Sequence, residues 1–141
     1  MAVLLAAWRG NDHAASGMID TLMTEASAAG IQKLADFALY ARAVLHNGLG
    51  RHDAALVAAR QVFTNDHVGF AAMVIPELAE AASRSGQRKH LQGALDYVSD
   101  RARTTPTPWA LGTAARLRAL LGRYWPQAKR LTSIIGDPSS F

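Results

Sequence analysis

The chain has 141 residues, half of them apolar, no cysteine and a formal net charge of +4. That length suits one domain able to bury a core, and the apolar content excludes a disordered tail. The missing cysteines exclude disulfides, thiolate metal sites and cysteine nucleophiles, and accord with a cytoplasmic protein.

Alanine alone supplies 28 residues, which favours closely packed helices over a sheet. The N-terminal "MAVLLAAW" is apolar, but it lacks a preceding basic region and Arg9 interrupts it, so it is not read as a signal peptide. No apolar run reaches the roughly 18–20 residues that a membrane-spanning helix needs. In chain order, helical periodicity predicts eight segments, near 2–9, 12–29, 32–48, 52–64, 70–84, 88–102, 108–121 and 125–134. Asn11 or Asp12 and Asp53 stand where N-caps or first-turn acids belong. Gly30 suits a C′ position, and Thr107 with Pro108 suits a cap followed by the first helical residue. Pro76 is the misfit: either the fifth helix kinks there, or 70–75 form a separate turn. No alternating strand pattern is found.

Self-similarity organises these segments. Gly50 lies in "LGRHDAALVAA", Gly86 in "SGQRKHLQGAL" and Gly122 in "LGRYWPQAKRL", thirty-six residues apart, with Gly10 in the same scheme forty residues earlier. An alanine-rich amphipathic stretch precedes each glycine and a second follows it. A helix that ends at a left-handed residue, followed at once by another helix, is a helical hairpin. Small residues such as Ala43, Ala55 and Ala59 recur where two such helices would touch. The expected fold is therefore all-α: a right-handed stack of helical hairpins with about eight helices. Residues 1–141 form a single repeat domain, and 121–141 an atypical tail. "HNGLGRHD", from His46 to Asp53, reads as a hairpin turn and not as a phosphate loop, because Asp53 replaces the third small residue of a Gly-x-Gly-x-x-Gly.

The hairpin spacing is similar to the tetratricopeptide repeat. "LLAAWRG", "ARAVLHNGLGRHDAALVAAR", "PELAEAASRSGQ" and "WALGTAARLRALL", in this order, resemble the tetratricopeptide-like region of large ATP-binding LuxR-type transcriptional regulators of actinobacteria. The resemblance covers roughly residues 3–121. It implies a non-catalytic interaction or sensor module in transcription regulation, whose partners are a protein or the ATPase and helix-turn-helix modules of such regulators, or a small-molecule inducer. The chain itself carries neither the Walker motif nor a terminal helix-turn-helix, and so reads as a fragment or truncated relative.

Several residues are candidates for chemistry. The register of the repeat places Tyr40, Val44, Asn47, Met73, Glu80, Trp109 and Arg116 on a groove that would suit a peptide or small molecule. Residues 1–100 carry 8 Lys/Arg against 10 Asp/Glu, whereas 101–141 carry 7 against 1. Arg101, Arg103, Arg118, Arg123, Lys129 and Arg130 thus form a candidate basic surface, with a solvated helix face as the plainer reading. Direct nucleic-acid binding through this surface is the alternative function, weakened by having only Tyr124 and Trp125 nearby for base stacking. His46, His52 and Asp53 span a turn without a third convincing metal ligand, and have no nucleophile nearby beyond ordinary serines, and Glu77 with Glu80 lacks a group to polarise a substrate. A small enzyme built on either set is the least favoured reading. No catalytic residue, metal or cofactor is assigned, and no membrane contact. The apolar N-terminal helix offers no polar cap to a stack, which predicts self-association or a missing neighbour.

Overall fold

The structure, a computed structural model, describes residues 2–65 and 69–135, with side chains described through residue 122. The described residues form seven α-helices and no strand: α1 (Ala2–Trp8), α2 (Asp12–Ala29), α3 (Gln32–Gly48), α4 (His52–Asn65), α5 (Phe70–Arg84), α6 (Arg88–Thr104) and α7 (Pro108–Ile135). Six of the eight expected segments coincide with a helix to within two residues. The last two are one helix, so the count is seven. The chain divides into two compact units, Met1–Gln87 and Arg88–Phe141.

The helices end where they do for one repeated reason. At four links the chain closes with a Schellman motif. The amide of Gly10 donates to the Ala7 carbonyl and that of Asn11 to Ala6; Gly30 donates to Ser27 and Ile31 to Ala26. Gly50 to Asn47 with Arg51 to His46, and Gly86 to Ser83 with Gln87 to Ala82, repeat the pattern. All four glycines are left-handed, with φ between 66° and 75°, where a side chain would be strained. The residue after each glycine also precedes the next helix directly. Asn11 accepts from the Ala14 amide through its side chain, and Thr107 caps α7 by accepting from Ala110.

Gly122 breaks the expected period. It lies inside α7, and its φ is not positive. A glycine inside a helix costs only about 1 kcal/mol relative to alanine, too little to end a helix that continues on both sides. The final helical segment, with Arg123, Lys129 and Arg130, is therefore the continuation of α7, although those three side chains lie outside the described residues. Residues 136–141 of the expected tail also lie outside them. Pro76 neither ends α5 nor separates a turn from it, since α5 runs unbroken from Phe70 to Arg84.

In the first unit α3 is central, packing against α1, α2, α4 and α5. That position explains why Ala38, Leu39, Ala41, Ala43, Val44 and Leu45 are all buried along one helix. α2 packs against α1 and α3, and α4 against α3 and α5. Alanines lie at the α3–α4 contact, where Ala43, Ala55 and Ala59 are fully buried; small side chains let the axes approach closely. One core cluster joins Val3, Leu4 and Ala7 of α1 to Ala15 and Ile19 of α2 and Val44 and Leu45 of α3. The second unit pairs α6 with α7. Their buried residues, Leu91, Ala94 and Val98 on α6 and Ala110, Ala114, Leu117 and Leu121 on α7, recur every three or four positions, as a helical seam requires.

Candidate functional site

The C-terminal end of α3 gathers most of the polar side chains singled out from the sequence. Asn47, half-buried, donates from Nδ2 to both the backbone carbonyl of Glu77 (3.0 Å) and its carboxylate Oε2 (2.8 Å). Its Oδ1 lies 3.1 Å from His52 Nδ1. Because the amide nitrogen is committed to Glu77, Oδ1 must accept, and the His52 proton resides on Nδ1. Tyr40 lies on the same side of α3. Burial raises the pKa of its hydroxyl, and the negative charge of Glu77 adds to the effect. Tyr40, Asn47, His52 and Glu77 thus form one polar cluster across α3, α4 and α5. It holds three helices together, and its amide is occupied by the protein itself.

A second cluster surrounds His46. Its Nδ1 is fully buried and finds no hydrogen-bond partner. Burial lowers its pKa, Arg51 and Arg42 lower it further, and Asp12 opposes them. Arg51 bonds Asp12 at 2.8 Å, and Arg42 bonds Asp20 at 3.2 Å. Hydrogen bonds from Arg51 and then Ser16 hold the Asp12 carboxyl below its ordinary range. These pairs tie α2 to α3 and to the turn after it. His46 and His52 therefore face different partners, and exposed Asp53 stands apart in the first turn of α4, so the three form no joint site. Nor do Glu77 and Glu80 act as a pair, for Glu77 binds Asn47 whereas Glu80 bonds Arg84 at 3.1 Å.

The residues expected to line a groove stand in different surroundings. Val44 is only 5% exposed and belongs to the core cluster, because α3 is covered on several sides by its neighbours. Tyr40 packs against that core, and Asn47 is engaged as described. Met73 is exposed on α5. Trp109 and Arg116 are exposed and belong to the second unit. In the expected basic surface, Arg101 stacks 4.6 Å over the Tyr97 ring and Arg103 bonds Asp100 at 2.9 Å, while Arg118 is exposed.

Two features escaped the sequence. Asp36 is a fully buried carboxylate. Asn65, twenty-nine residues away, donates to it at 2.9 Å, and Gln32 donates from one turn before at 3.3 Å. Charge-assisted bonds of this kind compensate a carboxylate for lost water. An Asp inside an amphipathic helix reads as solvated, and only its place in the apolar phase of α3 hinted otherwise. The second feature is an open groove of about 620 Å³ between α1 and α2, lined by Val3, Ala14, Gly17, Met18 and Leu22 together with His13 and Glu25. Among the described residues no group of three or more His, Cys, Asp or Glu is placed to hold a metal ion, and no helix is long and apolar enough to cross a membrane. Comparison with protein-family models, with curated proteins and with solved structures finds no match to this chain.

Proposed function

We propose that this chain is a non-catalytic interaction or sensor module, a right-handed stack of helical hairpins related to the tetratricopeptide-like region of LuxR-type transcriptional regulators. One observation carries the reading. The same junction, a left-handed glycine closing one helix with the next helix following at once, recurs at Gly10, Gly30, Gly50 and Gly86. A sequence that repeats one link in this way builds its surface from stacked units, each touching chiefly its neighbours, and such surfaces suit extended partners. The contacts of α1 with α3 and of α3 with α5 accord with that arrangement. The Asn47 cluster supports it as well, because the Asn47 amide is spent on joining helices. A transcriptional context rests on the resemblance of the four quoted segments alone.

Titration of the chain against a LuxR-type regulator from which the helical region has been deleted tests this reading. Saturable one-to-one binding to the ATPase or helix-turn-helix part is expected. Absence of binding to either part would refute the proposed relation.

A further inference from the structure

We infer that copies of this chain associate head to tail, the exposed face of α7 in one copy seating in the α1–α2 groove of another. The groove is lined mostly by apolar residues and exposes Met18. Gly17 is the sixth of the eighteen residues of α2, and a Cβ built there would meet nothing within 4 Å. A glycine weakens a helix interior, and no neighbour within the chain requires one at this position. The space it leaves lets another helix approach closely. Glu25 lines the groove and Asp12 and Asp20 lie beside it on α2, which carries no lysine or arginine, while exposed Arg9 stands in the turn between α1 and α2. Arg51 and Arg42 offset part of this charge from the α3 side, yet the Asp20 side chain remains 75% exposed and Glu25 is exposed.

The opposite character appears on α7. Ala110, Ala114, Leu117 and Leu121 are buried, whereas Leu111, Gly112, Ala115 and Ala119 are exposed on another face. Their spacing lines them up as one stripe. Arg116 and Arg118 flank that stripe on its two sides, and α7 contains no acidic residue. Leu111, 54% exposed, is the one large apolar side chain of that stripe. Both surfaces are helical, with their backbone bonds satisfied internally, so they can meet only through side chains, as a helix laid in a groove. The stripe then covers Gly17, Met18 and Leu22, while Arg116 and Arg118 reach Asp20 and Glu25. Pairing two grooves with each other would instead set the acids against themselves. Because the two surfaces differ, each copy keeps one of each free, and the contact propagates into chains or a ring. This inference does not depend on the partner named under the proposed function.

Sedimentation equilibrium of the full chain, from about 1 to about 300 µM at low salt, tests it. The weight-average mass should climb above 15.1 kDa with concentration and fall back in part when salt screens the charges. Gly17→Leu puts a branched side chain into the groove, and its Cβ meets nothing within 4 Å in its own chain. Gly17→Leu, Glu25→Lys and Arg118→Glu should each weaken association by about tenfold or more, with the helical circular dichroism spectrum unchanged. Mixing the Glu25→Lys and Arg118→Glu chains should restore it, because the reversed charges match again. A mass of 15.1 kDa at every concentration would overturn the inference. So would association that ignores Gly17→Leu and both reversals, which places the interface elsewhere.

Discussion

Replacing Asn47 with alanine removes a side chain that bonds α3 to both α4 and α5. Two donor bonds disappear, one to a neutral carbonyl at 3.0 Å and one to a carboxylate at 2.8 Å. A neutral bond contributes about 1 kcal/mol net and one to a charged group about 1.5–3 kcal/mol. Asn47 is half-buried and water replaces part of the loss. The His52 Nδ1–H also loses its acceptor, but that ring can turn toward solvent. The net expectation is a loss of about 2–3 kcal/mol, equivalent to a melting temperature lower by about 6–12 °C for a chain of this size. Urea unfolding followed by circular dichroism measures it, and a double-mutant cycle with Glu77→Ala isolates the carboxylate bond. That cycle should return a coupling of about 1–2 kcal/mol. A change under about 0.5 kcal/mol, with no coupling, would refute the assignment of Asn47 as a pin. Loss of partner binding at unchanged stability would instead return it to the binding surface that the repeat register suggested.

Gly86→Ala forces a side chain into the left-handed region and should cost about 1–2 kcal/mol, whereas Gly122→Ala, inside α7, should stabilise by up to about 1 kcal/mol; thermal melts of the two variants give opposite signs if the junction argument is right. Asp36→Ala removes the acceptor of Asn65 and Gln32, two exposed residues whose amides water can then serve, and urea titration should show a loss of about 1–2 kcal/mol. His46 is held neutral in the folded chain, chiefly by burial and then by Arg51 and Arg42, so its folded pKa lies below the ordinary 6.5. Below its unfolded pKa the unfolded chain binds more protons, so stability is full above about pH 6.5 and declines as the pH falls toward the folded value. His46→Gln should flatten that part of a stability-against-pH curve, and an unaltered slope would show that another group is responsible.

Much of the fold was legible in the sequence because helix ends are local events. A glycine at C′ with a polar residue after it fixes a Schellman link from six residues alone, and Gly10, Gly30, Gly50 and Gly86 were found that way. Gly122 has the same neighbours as Gly50, a leucine before and an arginine after, yet it stays in a helix. Local pattern cannot separate the two, since the few kcal/mol involved depend on what the following segment packs against.

The site was less legible, and for a related reason. Asn47 and Tyr40 were placed on a common side of α3 from periodicity, but which neighbour would claim them depended on α5 returning to pack there. Val44 failed as a groove residue because a helical phase has an inside only once its neighbours are known; α3 has neighbours on several sides. Asp36 pairs with Asn65 across a separation that no local window spans. The sequence by itself determined where the chain is helical and, except at Gly122, where the helices stop, because propensity, capping and the left-handed glycine act within a turn. Tertiary structure alone decided which polar groups are buried, which bonds they make and which faces of α2 and α7 remain open, because burial is a property of the assembled helices.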